Sequence, residues 1–118
     1  MILVGHGSRQ PGFDGAMKSV AESLKKDRRF SHVLCAFLEI NSPSISEAIA
    51  ACVQKKCRQI RILPYFLLTG RHTQSDIPRI VNEEKKKYGA RARIVLCPYL
   101  GFDPKIAAVA KKRILEAS

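Results

Sequence analysis

Two histidines, His6 and His72, each stand just past the end of an apolar run. His6 follows residues 2–5 and lies between two glycines, whereas His72 closes the segment 67–72. Imidazole can bind a transition metal or move a proton near neutral pH. If the two side chains converge, they form a metal site or an acid–base site. The alternative is that each histidine only caps a strand end through hydrogen bonds.

The elements that would position these histidines are four β-type segments that alternate with four helical ones. Residues 1–5, 32–38, 59–65 and 91–97 are rich in Ile, Val and Leu and predict strands. Between them, apolar residues recur at helical spacing. These residues are Phe13, Met17, Val20 and Leu24; Ile45, Ile49 and Cys52; Ile77, Ile80 and Val81; and Ile106, Val109 and Ile114. Strict alternation predicts an α/β fold, with a parallel sheet and helices on both faces.

Three sequence signals mark where helices begin. Ser42-Pro43 and Asp103-Pro104 each place a capping residue before a proline, which is typical of a helix start. Thr73, with an acidic residue three positions later, resembles a capping box. We therefore expect helices to start at these three points.

In an open parallel sheet, ligand sites form outside the carboxyl ends of the strands, near the point where strand order reverses. His6 ends the first predicted strand, Glu39 ends the second, and His72 lies in the loop after the third. The strand order 2-1-3-4 would open all three loops on one edge. An imidazole, a carboxylate and a second imidazole would then surround one position. His32 precedes a strand at the opposite edge, so we expect it to have a surface role.

The composition limits the class of protein. The 118 residues are 46% hydrophobic, which suits one domain spanning 1–118 with its own core. No apolar run approaches the roughly 20 residues of a transmembrane helix, so we expect no membrane partner. Residues 1–4 are apolar with no basic leader before them, which favours a cytoplasmic protein over a secreted one.

Four cysteines without CxxC spacing predict free thiols rather than a zinc site or a disulfide framework.

The net charge of +11 suggests an anionic partner, of which nucleic acid is the first candidate. The placement of the cations weakens that hypothesis, because most fall near the ends of predicted helices and complement the helix dipole. These residues are Lys25, Lys26, Arg28 and Arg29; Lys55, Lys56 and Arg58; Lys85, Lys86 and Lys87; and Lys111, Lys112 and Arg113. The remaining candidates for binding an anion, at the edge that carries His6 and His72, are Arg9, Arg71, Arg79 and Lys105. No RNP, KH or helix-turn-helix signature is present, and we expect no nucleic-acid partner.

The segment GHGS at residues 5–8 matches no nucleotide-binding motif, since GxGxxG and the Walker A lysine are both absent. ATP or NAD use is therefore disfavoured. The segment is also not a GxSxG nucleophile elbow, which makes Ser8 a weak candidate for a nucleophile. The glycines beside His6 leave space for a large, flat ligand to approach the imidazole, and Gly70 can do the same beside His72.

Four stretches resemble, in the correct order, the small class II chelatases of the CbiX and SirB type. They are GHGSR (5–9), FLE (37–39), LPYFLLTGRH (63–72) and DIP (76–78). The long block that ends at His72 is specific, whereas GHGS alone would be weak. The resemblance covers essentially the whole chain.

The resemblance implies an enzyme that inserts Co²⁺, Fe²⁺ or Ni²⁺ into sirohydrochlorin, a tetrapyrrole, for cobalamin, sirohaem or F430 synthesis. The family's two functional histidines correspond to His6 and His72, with Glu39 as an acidic helper. The metal is then a substrate, and no permanently bound cofactor is expected. Larger members carry two such domains facing one cleft, so a chain of half that length implies a homodimer with the site between subunits.

Physical chemistry assigns further residues to this site. Neutral imidazoles can hold a first-row divalent ion without trapping it, and a free imidazole or carboxylate can accept a pyrrole proton. Sirohydrochlorin is a polycarboxylate whose rim could be held by arginines and nearby backbone N–H groups. The expected substrate-binding residues are Gly7, Ser8, Arg9, Phe66, Leu67, Leu68, Thr69, Gly70 and Arg71. For Phe66, Leu67 and Leu68 the alternative is ordinary loop packing. Thr69 departs from the proline of the plant-like enzymes, which could change loop rigidity.

Two other functions stay open. A noncatalytic carrier or sensor could bind a tetrapyrrole or metal through the same residues, and only turnover distinguishes it from a chelatase. A basic α/β domain that binds nucleic acid is the third hypothesis.

Overall fold

A computed structural model of the chain describes residues 1–117, and every side chain among them except that of His72. Four strands alternate with four helices, as the sequence predicts. The strands are β1 (Ile2–Gly5), β2 (Leu34–Phe37), β3 (Gln59–Pro64) and β4 (Arg93–Leu96). The helices are α1 (Gly15–Lys25), α2 (Ile45–Gln54), α3 (Ile77–Tyr88) and α4 (Pro104–Glu116). Each strand falls inside its predicted segment.

The strands form one parallel sheet in the order β2-β1-β3-β4, which confirms the predicted 2-1-3-4 arrangement. Ile2 pairs with Leu34 on one side and with Ile62 on the other. β3 continues the ladder to β4, where Ile60 pairs with Ile94. The carboxyl ends of β1, β2 and β3 therefore meet at one edge of the sheet.

Alternating side chains divide the core between the two faces of the sheet. One face carries Ile2, Val4, Ile60 and Ile62, which pack with α2 and α3 in the larger cluster. The other face carries Leu3 and Phe37, which pack with α1 in a smaller cluster. Helices thus lie on both faces, but the α1 face holds less of the core.

Helix α4 stands apart from this arrangement. None of its residues is buried, and it makes no extensive contact with a strand or another helix within residues 1–117. Its apolar residues, which the sequence pattern predicts as a core-facing stripe, lie exposed instead. The molecule is correspondingly long, at 54 × 33 × 28 Å.

Two of the three predicted helix starts need correction. Asp103 does cap α4, since its carboxylate accepts a hydrogen bond from the Lys105 N–H. Helix α2, however, is capped by Ser44 rather than Ser42. Ser44 and Glu47 form a reciprocal capping box, and Ser42-Pro43 is a cis peptide before it.

The third predicted start, a capping box at Thr73, is wrong. Residues His72–Asp76 form a π-helical turn that leads into α3. The Thr73 hydroxyl points back to Gly70, where it accepts a hydrogen bond from the N–H and donates one to the carbonyl. Thr73 therefore lies inside the turn with its hydroxyl bonded to Gly70, and it does not cap a helix.

The four cysteines are free thiols, as the sequence predicts. Cys52 is buried against the larger cluster, and burial raises the pKa of its thiol and that of Cys35. A raised pKa keeps both thiols protonated and unreactive near neutral pH. Within residues 1–117, no helix is long and apolar enough to cross a membrane.

Candidate functional site

His6 and Glu39 are held side by side because the pairing of β1 with β2 continues past both strands. The Leu38 N–H donates to the Gly5 carbonyl at 3.0 Å, and the Glu39 N–H donates to the His6 carbonyl at 3.1 Å. These two bonds extend the ladder to the functional residues themselves. The backbone, rather than side-chain packing, therefore fixes the spacing of the pair.

The two side chains face each other at the carboxyl edge of the sheet. Nε2 of His6 lies 3.8 Å from Oε1 of Glu39, and the side chains are 52% and 62% exposed. This distance is too long for a hydrogen bond. Both side chains are exposed enough for an incoming ligand to reach them.

Gly7 allows the two loops to approach this closely. It adopts φ +107°, and a Cβ built on it would collide with the carbonyl oxygen of Glu39. The N–H of the next residue, Ser8, donates to Oδ1 of Asn41 at 2.7 Å. The first loop is thus locked to the second through backbone contact and one side-chain amide.

The loop after β2 turns sharply at Ile40. This residue has φ +70°, and the Asn41 N–H donates to the Glu39 carbonyl at 2.8 Å. A hydrogen bond across three residues with a positive central φ is a classic γ-turn, which is rare and strained. A β-branched residue in this conformation is unusual, and it stands directly beside the candidate carboxylate.

Phe66 forms the third wall of the site. Its ring meets the His6 imidazole edge to face, with centroids 6.2 Å apart, and it also packs against the larger core cluster. Packing of the loop against the core therefore explains much of the position of Phe66. Leu67 and Leu68 differ, because they are exposed, with Leu68 82% accessible.

Asp76 is brought to the site by the π-helical turn. A cavity of about 50 Å³ is lined by His6, Leu38, Glu39 and Asp76. This volume is on the order of one or two water molecules. One imidazole and two carboxylates therefore border a space of the size that an ion with part of its hydration shell needs.

The other predicted residues occupy the same edge in different ways. His72 is the first residue of the π-helical turn, while its side chain lies outside the described residues. Arg9, Thr69, Gly70 and Arg71 are exposed. Arg79 lies in α3, where it pairs with Glu83 at 3.4 Å. His32 lies at the opposite edge, beside Met1.

Sequence reasoning missed several residues at this edge. They are Asp76, Ile40, Asn41, Tyr99 and Phe102. Asp76 opens the stretch DIP (76–78), and its spacing of four residues from His72 could have suggested a shared face. Tyr99 and Phe102 follow the carboxyl end of β4, which lies at the same edge of the parallel sheet. Both are exposed, and the Gly101 N–H donates to the Phe66 carbonyl at 3.2 Å, which joins their loop to the site.

Comparison with known proteins identifies the family of this chain. The CbiX family model matches residues 1–117. The chain belongs to the CbiX family. A sirohydrochlorin cobaltochelatase of Saccharolobus solfataricus is 40% identical over 121 residues, covering 98% of this chain and 93% of the relative. A sirohydrochlorin cobaltochelatase of Methanopyrus kandleri is 30% identical and covers 99% of this chain and 95% of its own length.

Solved structures of the CbiX and SirB type share the fold. A CbiX protein of Marinobacter aquaeolei superposes with a TM-score of 0.82 at 22% identity, covering 98% of this chain and 91% of the other. The sirohydrochlorin chelatase SirB of Bacillus subtilis, solved with cobalt, superposes with a TM-score of 0.83 at 28% identity. The match covers 98% of this chain but 49% of SirB. One SirB chain is therefore about twice as long as this CbiX-family chain.

Proposed function

We propose that this chain is a chelatase that inserts a divalent metal ion into sirohydrochlorin. The observation that carries the proposal is the placement of His6 and Glu39, 3.8 Å apart and half-exposed, at the carboxyl edge of a CbiX-family sheet. The Saccharolobus and Methanopyrus relatives are sirohydrochlorin cobaltochelatases. Their similarity over nearly the whole chain supports the same substrate here.

Metal insertion requires that the ion lose water and that two pyrrole nitrogens lose protons. A neutral His6 imidazole suits the first task, because one nitrogen ligand holds a first-row ion without completing its coordination shell. Glu39 suits the second, because a carboxylate next to the imidazole can accept a proton while the imidazole holds the ion. We assign His72 the second imidazole of the pair, on the strength of its position in the family motif.

Asp76 is a second carboxylate for the same step. It borders the same small cavity as His6 and Glu39, and two released protons call for two acceptors. We expect Asp76→Asn to lower the insertion rate by about 100-fold or more, which is the usual loss when an acid–base group is removed. Asp27→Asn, at the opposite edge of the sheet, is the control. Equal rates in the two variants would remove Asp76 from the mechanism.

The loops around this pair suit a large, flat polyanion. Leu67, Leu68 and Phe102 are exposed apolar side chains on the loops that follow β3 and β4, and they can cover one face of a macrocycle. Arg9 and Arg71 are exposed at the same edge, where guanidinium groups can bind peripheral carboxylates in a bidentate manner. Backbone N–H groups of Gly7 and Thr69 lie in the same loops, whereas those of Ser8 and Gly70 already donate to Asn41 and Thr73.

The chemistry suits Co²⁺, Fe²⁺ or Ni²⁺ as the substrate ion, since imidazole and carboxylate ligands accept all three. SirB has been solved with cobalt and with Fe³⁺, which supports a site open to more than one metal. The reaction needs no ATP, in keeping with a sequence that has no Walker A lysine. The product would serve cobalamin, sirohaem or F430 synthesis, and the free thiols suit the cytoplasm.

The functional unit that we propose is a homodimer with the site between subunits. One sheet edge supplies walls on one side only, as the exposure of both side chains illustrates. SirB, at about twice the length, supports a second copy of the domain across the cleft. Two copies of this chain would supply in trans what SirB carries in one chain.

An anaerobic absorbance assay tests the proposal. Sirohydrochlorin is mixed with Co²⁺, Fe²⁺ or Ni²⁺ in turn, and wild type is compared with His6→Ala and with metal alone. His32→Ala is the matched control, because it removes an imidazole from the opposite edge. We expect enzyme-dependent conversion that His6→Ala lowers at least 100-fold and His32→Ala leaves unchanged.

The assay also separates the alternatives. Spectral changes that report binding without conversion would assign the chain as a carrier or sensor. Normal conversion by both His6→Ala and His72→Ala would contradict the assignment of the two imidazoles. The absence of any spectral response with all three metals would contradict the assignment of sirohydrochlorin as the substrate.

A further inference from the structure

The loop that follows β1 uses much of its own hydrogen-bonding capacity internally. The Ser8 N–H donates to Oδ1 of Asn41 at 2.7 Å, and the Ser8 hydroxyl accepts a hydrogen bond from the Gln10 N–H at 3.0 Å. A ligand that approaches this loop therefore finds the Ser8 N–H already occupied. The residue that occupies it, Asn41, has a second polar group of its own.

The bond from Ser8 fixes which way the Asn41 amide points. An asparagine side chain carries one acceptor oxygen and an NH2 group with two donors, and its hydrogen-bond partners decide which end is which. A backbone N–H can only donate, so the end of the amide that faces Ser8 is the oxygen. The NH2 group consequently lies on the other branch of the same planar amide.

The NH2 group of Asn41 is accessible to a ligand. Within residues 1–117 it donates to no acceptor. Asn41 is half-buried, yet no buried side-chain nitrogen or oxygen in the described part of the chain lacks a hydrogen-bond partner. The unbonded NH2 group must therefore be in contact with solvent, where a ligand can reach it.

Asn41 lies at the carboxyl edge of the sheet, between the two loops of the candidate site. Its N–H donates to the Glu39 carbonyl at 2.8 Å, and its Oδ1 lies 3.2 Å from the position that a Cβ on Gly7 would occupy. The amide is thus held from both sides before any ligand arrives. A donor held in this way loses little conformational freedom on binding.

We propose that the Asn41 NH2 group donates to a peripheral carboxylate of the tetrapyrrole, and that the Ser8 N–H keeps the amide turned for this contact. The inference rests on the proposed function and adds a substrate-binding residue to it. Because the Asn41 oxygen accepts a hydrogen bond, the amide is polarised and its NH2 group becomes a stronger donor. A hydrogen bond to a charged group changes affinity by about 10- to 100-fold.

An uncharged donor suits a position so close to Glu39. A lysine or arginine at position 41 could pair with the Glu39 carboxylate and weaken it as a proton acceptor. An amide binds a substrate carboxylate without adding a charge beside Glu39. The loop after β2 can therefore bind the polyanion and still leave Glu39 to accept a pyrrole proton.

Two variants of Asn41 separate the donor from the bond that orients it. Asn41→Asp keeps an oxygen for the Ser8 N–H but replaces the NH2 group with a second oxygen. Asn41→Leu, of similar size and shape, removes both groups. Asn82→Asp is the control for charge, because it makes the same change at an exposed position in α3.

Equilibrium titration of metal-free sirohydrochlorin, followed by absorbance, measures the contribution of the donor. We expect Asn41→Asp and Asn41→Leu each to raise the dissociation constant about 10-fold or more. Salt screens the long-range repulsion by the new carboxylate, whereas the loss of a contact persists. At high salt, Asn82→Asp should therefore match wild type, and both Asn41 variants should still bind more weakly. A wild-type dissociation constant for Asn41→Asp at high salt would overturn the proposal.

Amide hydrogen exchange at Ser8, followed by NMR, measures the orienting bond without any ligand. Exchange should be slow in wild type and in Asn41→Asp, and several-fold faster in Asn41→Leu, because only the last variant lacks the acceptor. Equal exchange rates in wild type and Asn41→Leu would show that Ser8 does not orient the amide, which also contradicts the proposal.

These outcomes are distinct from those that test the chelatase. If both Asn41 variants bound sirohydrochlorin weakly but wild type inserted no metal, the proposed function would be wrong and the Asn41 contact would stand. Metal insertion by wild type, with unchanged affinity in both variants, would contradict the contact and leave the chelatase intact.

Discussion

The backbone of Gly7 passes so close to the carbonyl oxygen of Glu39 that no side chain fits between them. The contact joins the loop that carries His6 to the loop that carries the candidate proton acceptor. Gly7 also has φ +107°, a conformation that L-residues rarely adopt. Glycine is therefore favoured at position 7 for two separate reasons. The first is the positive φ of its own backbone, and the second is the Glu39 carbonyl, which leaves no room for a Cβ.

Substitution can separate these two reasons. Gly12 has φ +76° with nothing near its would-be Cβ, so Gly12→Ala should cost only the backbone strain, about 1–2 kcal/mol. Gly7→Ala should cost more and should also lower the chelatase rate, because the Glu39 carbonyl must move. Urea unfolding and the insertion assay measure the two effects. Equal losses of stability and unchanged rates in both variants would contradict the role of the contact.

Ile40 offers a test of stored strain beside the site. Its φ of +70° costs an L-residue about 1–2 kcal/mol, which glycine avoids at an entropic cost of about 0.5–1 kcal/mol. Ile40→Gly should therefore leave stability unchanged or raise it by up to about 1 kcal/mol. The rate should fall several-fold, because Glu39 would be held less firmly.

Lys56 is the matched control for Ile40. It has φ +65° and follows α2, where the N–H groups of Lys56 and Cys57 donate to the carbonyls of Val53 and Cys52. This pattern is a Schellman motif, in which glycine is favoured. Lys56→Gly should stabilise the protein similarly and leave the rate unchanged. A rate loss in both variants would point to general loosening rather than to the turn at Glu39.

The capping box of α2 should make a pH-dependent contribution to the stability of the fold. Hydrogen bonds from the backbone of Ser44 lower the pKa of Glu47 below its ordinary value of 4.5. A depressed folded-state pKa gives stability that is present above the unfolded pKa and is lost as pH falls through the folded value. Glu47→Gln keeps an acceptor but removes the charge, so it should be destabilising at pH 7. The difference from wild type should become smaller as the pH falls from 7 to 3.

Chemical unfolding at the two pH values measures this effect. Ser44→Ala removes the cap itself and should cost about 1 kcal/mol at both. If Glu47→Gln lowered the free energy of unfolding equally at pH 3 and at pH 7, the carboxylate charge would not contribute to the stability of the cap.

The parts of the fold that sequence predicted follow from strong local patterns. Apolar runs and their alternation with helical spacing predicted the parallel sheet. With strand one placed centrally in the order 2-1-3-4, the rule for ligand sites at the carboxyl edge then predicted that His6 and Glu39 meet. The corrected parts depend on competition between nearby groups. Ser44 outcompetes Ser42 because Glu47 completes its capping box, and Thr73 bonds to Gly70 instead of capping α3.

Two further features depend on tertiary arrangement that periodicity does not encode. Asp76 reaches the cavity only because a π-helical turn displaces it relative to an ordinary helix start. The apolar residues of α4 recur at helical spacing, which predicts a buried face, yet none of them is buried within the described chain. Helical spacing marks a face of a helix and does not state what covers it.

Arg71 tests whether the arginines bind the tetrapyrrole rather than the metal. It is exposed at the carboxyl edge, and a lost charge-assisted bond to a carboxylate costs about 1.5–3 kcal/mol, or about 10- to 100-fold in affinity. Arg71→Ala should therefore raise the KM for sirohydrochlorin by roughly that factor and change kcat little. Arg58→Ala removes the same charge beside His32, at the opposite edge, and should leave KM unchanged. If the two variants raised KM equally, the effect of Arg71 would come from long-range attraction by the basic chain rather than from a specific contact. The difference in KM from wild type would then disappear at high salt for both variants.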